Sequence, residues 1–220
     1  MLDFRMRPRD GRAAPEGSPL KTSSSRSFPL AALVIPFAAL SLAGCGVNTI
    51  PVKEEAAKTA WADVQTQYQR RSDLIPNLVA TVQGYAKQER GTLVDVANAR
   101  ANATHISVNA STITDPQAFA KFQQSQDQLS GVLGRLMSIQ ERYPDLKSNQ
   151  NFLALQSQLE GTENRITVAR RDYIEAVRAY NTELRTFPGM LWAMTAFRAN
   201  KPMAEFTAGD AAQTPPAVKF

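Results

Sequence analysis

The chain has 220 residues but only one cysteine, one histidine and two tryptophans. A lone cysteine forms no internal disulfide, so the fold must rest on packing alone. One histidine and one cysteine fall short of the four ligands of a structural zinc site, and the paired Glu-x-x-His motifs of a di-iron bundle are missing. There is no glycine-rich phosphate loop. After residue 45 no alternation of apolar and polar residues is long enough for a useful strand. No metal and no cofactor is therefore expected. A Ser/His/Asp arrangement would have to use His105, which sits in a Ser-, Asn- and Thr-rich stretch that reads as a loop.

Charge of one sign is also scarce over most of the chain. The whole sequence carries 25 basic and 20 acidic residues, but residues 1–44 hold six of the former and three of the latter, leaving 19 and 17 beyond them. No lysine-rich cluster or aromatic-interleaved basic stripe remains there, so nucleic acid is not an expected partner.

Long apolar runs are limited to one, Phe28 to Leu42, and it ends in Leu42-Ala43-Gly44-Cys45. Arg5, Arg7, Arg9, Arg12, Lys21 and Arg26 precede it. A basic start, an apolar middle and small residues at the end are the parts of an export signal. The last four positions resemble a lipobox, which makes Cys45 the candidate lipid-attachment site, where a bacterial lipoprotein precursor is diacylated and cut. Two other readings stand beside it. Phe28 to Val47 approaches the roughly 20 residues a membrane-spanning helix needs, which would make an uncleaved anchor. The thiol could also be a buried small hydrophobe. The expected division is a lipoprotein signal peptide at 1–44, a lipidated linker at 45–51, a helical domain at 52–206 and a disordered tail at 207–220.

From Val52 onward the apolar residues recur every three or four positions. Ala57, Ala60, Val64, Tyr68, Ile75, Leu78, Val82, Tyr85, Val96 and Ala103 form one such stripe, and Phe119, Phe122, Leu129, Val132, Leu133, Leu136 and Ile139 a second. A third runs from Phe152 to Leu184 with coiled-coil-like spacing. Pro76 removes a backbone donor, so a break or kink is expected near Arg71 to Pro76. Asp115-Pro116 reads as a helix cap with proline at the first helical position, and Ser148 or Asn149 as a second cap. Helices are expected near 52–71, 74–103, 116–142 and 149–186, giving an all-α fold, an up-and-down antiparallel four-helix bundle.

Arg71 continues the phase of Val64, Tyr68, Ile75 and Leu78. A guanidinium on a buried stripe needs a carboxylate, because an unpaired buried charge is very costly. The expected polar network pairs Arg70 or Arg71 with Glu163 or Asp172, with Asp73, Asn77, Asn164 and Asn181 filling it out. The alternative is that both arginines snorkel from a rim. Gln126, in phase with the second stripe, reads as a hydrogen-bonded core or rim residue. Glu160, Glu163, Asp172 and Glu175 are the only helical carboxylates considered for acid–base work, and such spacings usually give solvated or salt-bridged groups.

Gly46-Val47-Asn48-Thr49-Ile50-Pro51, Arg70 to Val79 (Arg-Arg-Ser-Asp-Leu-Ile-Pro-Asn-Leu-Val), Gly84-Tyr85-Ala86, Tyr143-Pro144-Asp145-Leu146-Lys147, Glu163-Asn164-Arg165-Ile166, Tyr180-Asn181 and Thr186-Phe187-Pro188 resemble the LemA family. The resemblance spans about residues 46–206. It implies an up-and-down four-helix bundle, association with the cell envelope and no assigned biochemical activity. Val47 stands where many relatives have tyrosine.

Together these readings imply a bacterial envelope lipoprotein, anchored through Cys45, facing the periplasm and binding or scaffolding other envelope proteins without catalysis. Gly46 after the cysteine favours the outer over the inner membrane in a diderm cell. Two alternatives remain. Met190 to Phe197 (Met-Leu-Trp-Ala-Met-Thr-Ala-Phe) could cover the end of the bundle or serve a lipid-binding or remodelling protein at the membrane surface. An enzyme with a helical carboxylate site is the other.

Overall fold

The computed structural model describes residues 46–105 and 111–207. Cys45, the export-signal reading for residues 1–44 and most of the expected tail lie outside them. Among the described residues the chain is all-α, and its architecture is a helical bundle.

The first helix, α1, runs Thr49–Tyr85 without interruption, about 55 Å at 1.5 Å per residue. Ile50, Ala57, Trp61, Val64, Tyr68, Arg71, Ile75, Leu78 and Val82 are its buried stripe. From Ala57 onward their steps of three and four stay in phase across Pro76. Of the break or kink expected at 71–76 the break is absent, and α1 begins inside the stretch expected to be a linker. The carbonyl oxygen of Ser72 is the acceptor that Pro76 cannot serve. It accepts instead from Arg100 Nε at 2.9 Å, so the missing helical bond is replaced from a neighbouring helix.

The real break falls at Ala86–Glu89. Ala86 is fully buried while Tyr85 turns outward, and helix α2, Arg90–His105, runs back with Leu93, Val96, Ala99 and Ala103 inward. A short 3-10 turn at Thr112–Thr114 leads to α3, Pro116–Ser138. Asp115 caps α3 by accepting from the backbone N–H groups of Gln117 at 2.9 Å and Ala118 at 3.2 Å. The last turn expected in this helix is 3-10, Ile139–Arg142.

A one-turn helix, α4 (Pro144–Lys147), precedes α5, Gln150–Glu183. Asn149 caps α5 by accepting from the Phe152 N–H at 2.9 Å. Helices α1 and α5 are antiparallel: Lys53 near the start of α1 pairs with Glu183 at the end of α5 at 2.5 Å. At the opposite end Asn149 donates to the Tyr85 hydroxyl at 2.8 Å. The sixth helix, α6, is Gly189–Met194.

Two apolar clusters lie along the bundle axis. One gathers Trp61, Tyr68, Phe119, Phe122, Ile166, Tyr173 and Phe206. The other gathers Ile75, Leu78, Val82, Val96, Leu133, Leu136, Phe152 and Leu159. Trp61 is central to the first, with ring centroids 5.2 Å from Tyr173 and 5.3 Å from Phe122. Offset and edge contacts of this kind add to the area they bury.

The chain ends its described course as a strap without regular secondary structure, 201–207, laid across the first cluster. Ala204 N–H donates to the Ile113 carbonyl at 2.7 Å. Phe206 inserts among Trp61, Phe119 and Tyr173, under the Arg170 guanidinium at 4.3 Å. The side chains that hold this strap sit on α5, through Tyr173, Tyr180 and Asn181, and on α3, where Gln123 donates to the Thr207 carbonyl at 2.8 Å.

Candidate functional site

Arg71 lies between the two apolar clusters and is only 1 % exposed. On α1 it separates Tyr68 from Ile75. On α3 Gln126 separates Phe122 from Leu129, and on α5 Thr162 and Glu163 separate Leu159 from Ile166. One polar layer therefore crosses the bundle at a common height.

The guanidinium is held from several sides. Its Nη1 donates to Ser130 Oγ at 2.7 Å and to Glu163 Oε1 at 3.0 Å. Its Nη2 donates to Gln126 Oε1 at 2.6 Å and lies 3.4 Å from the Gln126 carbonyl. The Tyr68 ring centroid is 5.0 Å from its Cζ. Burial pushes the Tyr68 hydroxyl above the ordinary phenol range, against the pull of the Arg170 and Arg71 charges. Nε finds no acceptor among the described residues. Gln126 Nε2 in turn donates to the Ala103 carbonyl at 3.3 Å, near the end of α2. Arg71 and Gln126 thus connect all four long helices.

This layer is committed to holding helix register. A fork-shaped donor whose partners sit on α3 and α5 is satisfied only when those helices stand at one axial offset. Glu163 completes the pair from the rim, its side chain 41 % exposed.

Of the expected network, Arg71 and Glu163 come together and the other members do not. Arg70 is exposed on the outer face of α1. Asp73 is also exposed and accepts from Gln69 Nε2 at 2.7 Å within the same helix. Asn77 is exposed. Asn164 and Asp172 are exposed and line a shallow cavity of about 340 Å³ between α1 and α5, beside Asp63, Gln67 and Arg165. Asp172 pairs with its neighbour Arg171 at 3.4 Å.

Asn181 belongs to a different structure, the clasp on the strap. Its Nδ2 donates to the Met203 carbonyl at 2.9 Å, and its Oδ1 accepts from the Met203 N–H at 2.9 Å. The Tyr173 hydroxyl donates to the Ala204 carbonyl at 2.8 Å, and that of Tyr180 to the Lys201 carbonyl at 3.2 Å. Burial raises the pKa of both phenols. Cys45, the candidate lipid-attachment residue, lies outside the described residues.

Sequence reasoning missed Ser130 and Arg100. Ser130 follows Gln126 by four positions and so shares its face, a signal that was present. Arg100 carried none, because its role depends on where the end of α2 meets α1. The carboxylates weighed for acid–base work are spread over the surface: Glu160 accepts from Gln156 at 3.0 Å, and Glu175 is exposed.

The start of the described chain meets the 188–192 segment at one end of the bundle. Gly46 has φ +120°, a conformation that favours glycine. A Cβ there would stand 3.2 Å from Pro188 Cγ and 3.9 Å from Trp192 Nε1. In the segment 190–197, Trp192, Ala193 and Phe197 pack against the first apolar cluster. Leu191 and Met194 face outward, as does Phe187 just before it. No helix of the described residues is long and apolar enough to cross a membrane.

Over 80 residues the chain is 35 % identical to Magnetosome protein MamQ 2 of Paramagnetospirillum magneticum, covering 36 % of this chain and 29 % of that one. The same figures hold for MamQ 1 of that organism. It is 21 % identical over 140 residues to Protein LemA of Metamycoplasma hominis, covering 64 % of this chain and 60 % of the relative. The chain therefore spans under a third of the MamQ proteins and three-fifths of the mycoplasma protein. The sequence profile of the LemA family matches residues 60–220, and with that match over most of its length the chain belongs to the LemA family.

Proposed function

We propose that this protein is a lipid-anchored envelope protein whose bundle binds or scaffolds neighbouring envelope proteins and catalyses no reaction. The observation that carries the reading is the seat of Gly46 against Pro188 and Trp192. Gly46 is one peptide bond from Cys45, within about 3.8 Å between Cα atoms. Acyl chains on Cys45 would therefore hold the bundle end-on at the bilayer with almost no free tether. A rigid rod about 55 Å long standing on a membrane presents its sides to neighbouring proteins, and confinement to the surface raises their effective concentration.

The polar groups support a binding role over a catalytic one. Arg71, the buried cation, has its terminal nitrogens committed to Ser130, Gln126 and Glu163. Asp63 and Asp172 line the shallow cavity between α1 and α5, and Glu160, Glu163 and Glu175 are not among its lining residues. Gly46 in the position after the cysteine favours the outer membrane in a diderm cell, with the bundle in the periplasm.

Mass spectrometry of the mature N-terminus, paired with in-cell crosslinking of wild type and Cys45→Ala, tests the reading. A chain beginning at Cys45 with diacylglyceryl attached, and partners lost in Cys45→Ala, is the expected result. An unmodified thiol, or an unchanged set of crosslinked partners in Cys45→Ala, would refute it.

A further inference from the structure

We propose that the surface formed by Phe187, Leu191 and Met194 is a membrane-contact face that seats the anchored end of the bundle in an anionic lipid leaflet. The inference rests on the anchored reading above and assigns the occupant of a face that reading leaves open. Phe187 is 78 % exposed, Leu191 50 % and Met194 60 %. Leu191 and Met194 lie three positions apart on α6 and so share one side of it. The opposite side, through Trp192 and Ala193, is packed on the bundle core. The apolar residues that face outward are therefore not the ones a membrane helix would be expected to lead with. The tryptophan is inside, and leucine, methionine and phenylalanine are out.

Position names the occupant. The chain preceding the described residues reaches Gly46, which lies beside Pro188 and Trp192, the chain neighbours of Phe187 and Leu191. Acyl chains on Cys45, one residue before Gly46, would enter the bilayer beside this face. Charge points the same way. Arg185, Arg198 and Lys201 are exposed in the flanking segments and form no ion pair with any described residue. Arg198 is held over the patch by its Nε, which donates to the Met194 carbonyl at 2.8 Å. Exposed apolar side chains with cations in the flanking segments suit the interface of a leaflet rich in anionic headgroups.

The test uses the full protein, purified from membranes and reconstituted in vesicles of phosphatidylethanolamine and phosphatidylglycerol. A nitroxide is placed at Leu191→Cys, at Met194→Cys and, as a reference at the far end of the bundle, at Val94→Cys. Val94 is similarly exposed, at 56 %. Collision with oxygen, which concentrates in lipid, is compared with collision with a water-soluble nickel chelate. The expected result is a several-fold higher oxygen-to-nickel ratio at positions 191 and 194 than at 94. Equal ratios at the three positions would overturn the proposal. Shielding from both probes at 191 and 194 would also overturn it, because it means a protein cover such as a second copy. Wild type, whose only thiol is Cys45, reads the anchored reading separately: label uptake there means the cysteine is not acylated. The contact face is still decided by positions 191 and 194, in the Cys45→Ser background if wild type takes up label.

Discussion

Arg100 Nε stands 2.9 Å from the carbonyl oxygen of Ser72, the one acceptor in α1 that Pro76 leaves without a helical donor. The residues are 28 apart in sequence, and their contact lets a proline sit in the middle of a 37-residue helix. It also fixes where α2 packs along α1.

Removing that donor should be costly in a way that depends on the proline. Arg100→Ala is expected to destabilise the fold by about 1–3 kcal/mol, the penalty for an unsatisfied buried carbonyl. In a Pro76→Ala background the restored N–H serves Ser72, and the cost of Arg100→Ala should shrink by about 1 kcal/mol or more. Urea unfolding of the four proteins in this cycle measures the coupling; additive effects would mean the two groups act independently.

The arginine layer should respond unequally to its members. Arg71→Ala leaves a cavity and strands the buried Gln126, and is expected to cost about 2–5 kcal/mol, while Arg71→Met, which fills the space with apolar atoms, should cost clearly less. Glu163→Gln keeps an acceptor at the rim but removes the carboxylate that offsets the buried guanidinium, and should cost about 1–3 kcal/mol. Thermal melts that place Glu163→Gln beside Arg71→Ala would show that the charge pair, and not the hydrogen-bonded fork, carries the layer.

Asn181→Ala removes both side-chain bonds to Met203, at 2.9 Å each. The strap should loosen before the bundle does. Amide hydrogen exchange at Met203 and Ala204 is expected to accelerate by at least about tenfold, the equivalent of 1.4 kcal/mol of local protection. Exchange in the middle of α1 and α5 should stay near the wild-type rate.

Alkaline pH should weaken the strap through Tyr173. Burial, with a smaller contribution from Glu205, raises its folded-state pKa well above the ordinary value near 10. Above that value the unfolded chain releases the phenolic proton while the folded chain keeps it. Stability from this group is therefore complete below about pH 10 and is lost as pH rises toward the folded pKa. Tyr173→Phe gives up the bond to Ala204, at about 1 kcal/mol near neutrality, but should lose less stability between about pH 9 and pH 11 than wild type. Urea midpoints taken across that range decide it; parallel curves would rule the phenol out as the source.

Helix identity was legible because burial on one side imposes a period of three and four, and the stripes from Ile50 to Val82 and from Phe152 to Tyr180 keep it. The caps at Asp115 and Asn149 were legible too, since each acts on N–H groups within three residues of itself. Arg71 stood out for the same reason: a cation in phase with apolar neighbours must find partners.

Identity of those partners was legible only in part: Glu163 was one of two carboxylates named from the sequence, and Ser130 and Gln126 were not named as partners. Ser130, Gln126 and Glu163 reach Arg71 from two other helices, and no local period reports the axial offset between helices. The expected break at Pro76 failed on the same ground, because the substitute donor is on α2. Asn181, grouped with Arg71 from its sequence, serves the strap instead, since 200–207 folds back over the first apolar cluster. The amino-acid sequence by itself determined the all-α class, the buried stripes and the need to pair a buried arginine, all of which follow from local periodicity and the cost of burying charge. Only the tertiary structure decided which groups satisfy Ser72 and Arg71, and which apolar side chains of the 187–197 segment face outward, because each depends on contacts between segments far apart in the chain.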